Sequence, residues 1–217
     1  MELMLRSDFR DYYDHQFDLT GRPFSRFSKG GMNRRQMFAI LKRIGLEVPI
    51  HGTAKEIYER TEEYEREYLL STMDLVVYLD ETAHRGEGKI RLGFKEALDA
   101  YPDQFASMYI HPPQDLAQST RYLAVGDRAF WLRYESVDDW RSNCGNVRIT
   151  VLREEKTGRY PIPFALYAID FVPIGQLNER LAVDFNVAPG IRGTGVEDRL
   201  SAQEVVEAIK RALSGAL

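Results

Sequence analysis

A chain of 217 residues has room for one domain or two small ones, and its 44% hydrophobic and 29% charged residues exclude disordered and fibrous classes. The apolar run at 75–79 is far short of the roughly 18 residues that span a bilayer, and one cysteine, Cys144, excludes an internal disulfide framework and a Cys-cluster zinc site. A net charge of −4 argues against dominant nucleic-acid binding, and Met1–Arg6 has no secretory pattern, so a cytoplasmic protein without a membrane partner is expected.

In chain order, residues 1–31 bring Phe9, Tyr12, Tyr13, Phe17, Phe24 and Phe27 together with polar turn residues, which predicts an irregular segment packed by its rings. A helix is predicted over 28–44, with Met37, Phe38, Leu41 and Ile44 on one face and Gly45 as its stop. Thr53-Ala-Lys-Glu56 is a capping box opening a charged helix with Ile57, Thr61, Tyr64 and Tyr68 as one stripe. Residues 75–79 read as a strand, 83–93 as a glycine-containing loop, 94–101 as a helix stopped by Pro102, and 105–110 as a strand. From Thr120 strands dominate: 121–125 and 129–134 flank the hairpin signal Gly126-Asp127, and 147–152, 165–172 and 181–186 follow. Ser201-Ala-Gln-Glu204 caps a last helix with Val205, Val206, Ile209, Ala212 and Leu213 on its apolar face. The class is α+β, helix-rich early and antiparallel sheet late. Charge is uneven too: 1–45 carry nine Lys/Arg against five Asp/Glu, and 46–103 carry seven against fourteen. That reads as solvated faces of different elements, or as a basic N-terminal surface for an anionic partner.

Ala168-Ile-Asp-Phe-Val172 and Ala182-Val-Asp-Phe-Asn-Val-Ala-Pro-Gly190 each set an aspartate among apolar strand residues. Paired, they put Asp170, Asp184 and Asn186 on one face, with Val183 and Phe185 toward the core. Three oxygen donors suit Mg²⁺, which takes carboxylates together with phosphate oxygens; a solvent-facing strand edge is the alternative. Two close carboxylates repel, so Asp184→Asn is expected to leave metal-free stability unchanged or raised.

These segments resemble the ATP-grasp superfamily, in particular carboxylate–amine ligases of the ribosomal-protein-glutamylating and glutathione-synthetase kind. In that family an Asp strand precedes a Glu-x-Asn-x-x-Pro-Gly motif; Asp170, Asp184 and Asn186 match its metal-holding positions, with Asp184 replacing the Glu. Thr120-Arg-Tyr-Leu-Ala-Val-Gly126 and Arg141-Ser-Asn143 resemble the family's phosphate-facing arginine strand and Arg-Ser-Asn segment, so Arg121, Arg141 and Asn143 are implied as catalytic residues and Arg133 as a further phosphate contact. At the strand position of the family's lysine stands Tyr78, so Lys89 or Arg85 of the glycine loop is expected to supply the charge. Met108, Tyr109 and Ile110 fall where the adenine-contacting hinge lies.

The resemblance implies two α+β subdomains with ATP between them and a shortened N-terminal region: 1–70 as that region, 71–118 as the small subdomain and 119–217 as the C-terminal one. It also implies ATP and Mg²⁺ as cofactors, and small-molecule or peptide carboxylate and amine substrates joined through an acyl-phosphate. An anionic acceptor fits the basic balance of 1–45, and a compact variant of this kind suits a phage or bacterial accessory pathway, in the first case in the host cytoplasm. An ATP-grasp phosphotransferase and a non-catalytic nucleotide-binding or interaction module remain the other classes. His15, His51, His84 and His111 lie on separate segments without zinc-ligand spacing.

Overall fold

Asn33 decides where the first described helix starts. The computed structural model describes residues 33–83, 87–112, 116–162, 166–174, 179–186, 189–201 and 203–208, so the aromatic segment 1–31, His84, Arg85 and the end of the last predicted helix lie outside it. Asn33 is extended, and its side chain accepts the Gln36 N–H at 3.0 Å while Gln36 reaches back to the Asn33 N–H at 3.1 Å, a reciprocal cap. The helix α1 (Arg34–Arg43) therefore begins six residues after Ser28. It ends as predicted at Gly45, whose φ of +84° lets the N–H groups of Gly45 and Leu46 turn back to the Lys42 and Leu41 carbonyls.

Beyond α1, β1 (His51–Thr53) leads through the Thr53 capping box into α2 (Ala54–Arg60) and α3 (Glu63–Thr72). The predicted single charged helix is broken at Thr61, which takes extended angles. The stripe breaks with it. Ile57 stays buried, while Tyr64 and Tyr68 on α3 are 81% and 64% exposed. Then come β2 (Asp74–Tyr78), β3 (Lys89–Gly93), α4 (Phe94–Ala100) and β4 (Phe105–Met108). Residues 89–93 are a strand rather than the predicted loop, because Lys-Ile-Arg-Leu alternates: Ile90 and Leu92 pack toward the helices, and Lys89 and Arg91 face the other way.

The first sheet has the order β1-β4-β2-β3, all antiparallel. Its back face, through Leu75, Val77 and Ala106, packs on Ile57, Leu69, Phe94 and Ala97 of α2, α3 and α4. Val76, Tyr78 and Phe105 look the opposite way, toward α1 and the second sheet.

That sheet is β5 (Ala117–Val125), β6 (Arg128–Ser136), β7 (Val147–Lys156), β8 (Leu166–Ile174) and β9 (Glu179–Asn186), antiparallel in the order β7-β6-β5-β8-β9. Both its faces are covered. Tyr122, Trp131, Ile169 and Phe185 pack with Met37, Phe38 and Leu41 of α1. Leu123, Phe130, Leu132 and Ala168 pack with Ile191, Val196 and Leu200 and with Val205 and Ala208 of a helical stretch at 203–208, capped by Ser201. Burial on both sides of β5, β6 and β8 explains why these three strands carry long apolar runs, while β7 at the border is exposed and charged.

A short strap ties the two sheets at one end. After α1, the Glu47 carbonyl accepts the Ala182 N–H of β9 at 2.8 Å, and the Ile50 carbonyl accepts the Met108 N–H of β4 at 2.8 Å.

Candidate active site

The cleft between the sheets is lined from one side by Val76, Tyr78, Lys89 and residues 107–110, and from the other by residues 117–119, Arg121, Tyr134, residues 140–143, Asp170 and Asp184. Arg34 of α1 enters it from behind.

The β5–β8 ladder sets Arg121 directly opposite Asp170. The guanidinium grips the carboxylate as a fork, Nε to Oδ1 at 2.6 Å and Nη2 to Oδ2 at 2.8 Å, and lies 4.9 Å over the Tyr134 ring. Burial works against the Arg121 charge, but Asp170 more than offsets it, and the guanidinium is held above its ordinary pKa. The β8–β9 ladder then sets Asp170 opposite Asp184, so both carboxylates face the cleft.

Beside this pair the ladder shifts register: Asp170 pairs with Asp184 and Phe171 with Ala182, leaving Val183 as an extra residue. Val183 consequently lines the cleft instead of facing the core as strict alternation predicts, while Phe185 and Ala182 are buried. Asn186 pairs with Ala168, two positions beyond Asp184, and is not among the cleft-lining residues.

Asp184 accepts a 2.7 Å hydrogen bond from Nη1 of Arg34, a residue only 6% exposed. Nη2 of Arg34 donates to the Ala83 carbonyl at 3.2 Å, and the guanidinium sits 5.4 Å over the Tyr78 ring. Burial opposes this charge as well, and Asp184 outweighs it, raising the pKa. The pair reverses the expected effect of Asp184→Asn. The carboxylates do not face each other bare, because each has its own arginine. Sequence reading missed Arg34, because a helix placed from 28 puts it in the interior; the observed start sets two arginines at the first positions, where they oppose the macrodipole by about 0.3–1 kcal/mol each, so helix stability does not explain them.

Lys89 sits on β3 directly across the ladder from Tyr78 and 5.6 Å from the Trp140 ring. Burial first, and then the Arg34 charge, lower its pKa, while Asp184 pulls it back up. Tyr78 itself is buried, with its hydroxyl 3.3 Å from Ser107 Oγ. Arg141 lines the cleft in a fork with Asp139 at 2.9 and 2.7 Å, which holds the Asp139 carboxyl below its usual range. Asn143 lines the cleft nearby, and Ser119 Oγ lies 2.6 Å from Ser142 Oγ. Met108, Tyr109 and Ile110 form the wall at the exit of β4.

Arg133 is not brought to the cleft: on β6 it shares the Trp131 face, opposite to Leu132 and Tyr134, and its Nε is 3.4 Å from Glu135. The structure therefore joins Arg121, Arg141, Asn143, Lys89, residues 108–110, Asp170 and Asp184 in one cleft and adds Arg34; Asn186 shares the face of the two aspartates just beyond the lining, and Arg133 lies on the other face.

No protein-family model matches the chain, and no curated protein matches it in sequence. Solved structures do match. The ATP-grasp ligase PsnB, complexed with a phosphomimetic variant of its minimal precursor, Mg and ADP, superposes at a TM-score of 0.51 and 13% identity over 87% of this chain and 61% of its own. D-alanine–D-alanine ligase from Bacillus anthracis, complexed with ATP, gives 0.51 and 10% identity over 84% and 67%. The D-alanine–D-alanine ligase from Coxiella burnetii gives 0.51 and 13% over 88% and 59%.

This is an ATP-grasp fold. The chain spans about three fifths to two thirds of the length of these ligases. Its own cleft is small, about 120 Å³, and a depression of about 400 Å³ shares Tyr109, Pro112, Ala117 and Trp140 with it.

A divalent ion can be tested against the residues present. Among the described residues no three His, Cys, Asp or Glu are grouped to cage a metal. Two adjacent carboxylates, Asp170 and Asp184, are the number Mg²⁺ takes when phosphates and waters complete its shell. The donor set fits an ion that arrives with phosphates. Among the described residues, no helix is long and apolar enough to cross a membrane.

Proposed function

We propose that the chain is an ATP-dependent ligase that joins a carboxylate to an amine through an acyl-phosphate, acting in the cytoplasm. The observation that carries this reading is the charge of the inter-sheet cleft in an ATP-grasp fold: Arg34, Lys89, Arg121 and Arg141 against Asp170 and Asp184. Fixed cations in a cleft are suited to a triphosphate and to the charge that spreads over a transferring phosphoryl group.

The base packs against the 108–110 wall, and the phosphates run toward Lys89 and Arg121. A substrate carboxylate oxygen attacks the γ-phosphorus and ADP leaves. Arg121, already oriented by Asp170, and Arg141, oriented by Asp139, hold the phosphoryl oxygens; Asn143 donates to the same group. The amine then attacks the acyl carbon, loses its proton and expels phosphate. Mg²⁺, when bound, neutralises phosphate charge, and Asp170 and Asp184 would hold it.

The cation surplus also favours an anionic carboxylate substrate. PsnB, solved with its precursor, supports a peptide alongside small molecules as the substrate class. A second reading, a nucleotide-binding module without turnover, is favoured by the ion pairs themselves, since both aspartates are already held by arginines.

The test is product analysis with Mg-ATP and a panel of amino acids and acidic peptides. ADP, free phosphate and a new amide mass support the ligase. A phosphorylated product without free phosphate indicates a phosphotransferase, and ATP binding without turnover indicates the module.

A further inference from the structure

Arg34 is held where a cation beside Asp184 is needed, and it comes from outside both sheets. Its guanidinium is fixed by the Asp184 carboxylate, the Ala83 carbonyl and the Tyr78 ring, and its backbone N–H donates to the Glu81 carbonyl at 3.1 Å. The neighbouring Arg35 is anchored in the same way, 3.2 Å from Glu81 and 4.7 Å over the Phe105 ring. The first turn of α1 thus carries two arginines and no acidic residue, the reverse of what its dipole favours. Tertiary contacts hold them there.

With Arg34 on Asp184 and Arg121 on Asp170, the carboxylate pair is already neutralised before any ligand enters; Arg141 is matched by Asp139, and Lys89 adds positive charge beside them. A bare divalent cation entering this cleft meets two occupied carboxylates and the partly desolvated Lys89 ammonium. A triphosphate changes the balance, because its oxygens give the guanidinium another partner.

We infer that Arg34 is a positioning residue that makes divalent-cation binding conditional on the triphosphate: it occupies Asp184 in the empty cleft and yields that carboxylate to the ion when phosphate oxygens arrive. The phosphate half of this rests on the proposed ligase reading; the half concerning the empty cleft does not.

The experiment uses the full chain and Mg²⁺ alone, then ATP alone, then Mg-ATP, read by thermal shift and calorimetry. Wild type is expected to show no shift with millimolar Mg²⁺ alone. Arg34→Gln frees Asp184, so Mg²⁺ alone should stabilise that variant and bind at least about tenfold more tightly than to wild type, the scale set by removing one partner of a partly buried ion pair. Arg34→Lys, which keeps the cation, should behave as wild type, and adding Asp184→Asn to Arg34→Gln should abolish the gained Mg²⁺ response.

Mg²⁺ alone stabilising wild type as much as Arg34→Gln overturns the inference, as does an Arg34→Gln protein that is folded by circular dichroism yet blind to Mg²⁺. Should Arg34→Gln not fold, Arg34→Met takes its place in the same comparison, and a clear Mg²⁺-only shift in wild type refutes the inference whichever variant is used. Failure of the ligase reading shows separately in product analysis, as ATP consumed or bound with no new amide formed.

Discussion

On the second-sheet side of the cleft, Arg121 and Asp170 are neighbours on adjacent strands, and an unbroken run of backbone pairs from Thr120 to Val125 holds them in register. On the other side, Arg34 and Asp184 stand 150 residues apart in sequence and meet because a helix is pressed onto the sheet by Met37, Phe38 and Leu41. The first pair is a fork, the second a single hydrogen bond. A ladder-held pair inherits the rigidity of the sheet, whereas a helix-held pair is only as fixed as the apolar contact behind it.

The harshest way to break that contrast is Phe38→Ala. Phe38 is fully buried, so its removal should cost about 3–5 kcal/mol in chemical denaturation. The Arg34–Asp184 pair should loosen while Arg121 and Asp170 stay joined; equal loosening of both would show that α1 supports the whole sheet. Arg121→Ala should cost about 3 kcal/mol, because it strands Asp170, whose side chain is only 16% exposed. The double variant Arg121→Ala/Asp170→Ala should recover part of that loss, and a merely additive result would mean the fork contributes little.

Asp184→Asn should lower metal-free stability by about 2 kcal/mol, since it leaves Arg34 buried without its counter-charge while the partly exposed position 184 softens the penalty. The same variant should reduce Mg-ATP-dependent ADP release by at least about a hundredfold. Stability that holds or rises would restore the carboxylate-repulsion account.

The gentlest probe is Lys89. Its folded pKa lies below the ordinary lysine value because of burial and Arg34, so the unfolded chain binds more protons as pH rises toward that value. The lysine therefore contributes stability that increases with pH across the window between its lowered folded pKa and the unfolded one. Lys89→Met should flatten this alkaline rise in a pH series of denaturation midpoints and also weaken ATP affinity in calorimetry. An unchanged slope would remove Lys89 from the desolvated wall.

How much of this was legible in the sequence follows the same divide. Asp170 and Asp184 could be read as sharing a face because strand alternation is a local rule, and the hairpin at Gly126-Asp127 and the capping boxes at Thr53 and Ser201 are local for the same reason; that the two aspartates stand directly opposite is a matter of register, which alternation does not fix. Val183 could not be read this way, since a bulge belongs to two strands at once. Lys89 reads as a candidate cation but on a loop, because the glycines before it mask the Ile90–Leu92 alternation that in fact builds a strand. Arg133 shows the limit of motif order: it lies in a suitable strand but on the wrong face. Arg34 was out of reach of any spacing argument, since its awkward place at a helix N-terminus emerges only once the helix is seen to start at 34 rather than 28.

The strap after α1 has one more effect, on how this molecule behaves in company. Among the described strands β9 closes one side of the five-stranded sheet, and an open strand there would offer its N–H and carbonyl groups to another chain. The Glu47 carbonyl already takes the Ala182 N–H, and α1 lies against the same strand. At the opposite border, β7 carries Arg148, Arg153, Glu154, Glu155 and Lys156, charges that discourage a flat neighbour. One border is partly covered by the chain itself and the other carries charge, and both features disfavour pairing of a sheet edge with a second copy.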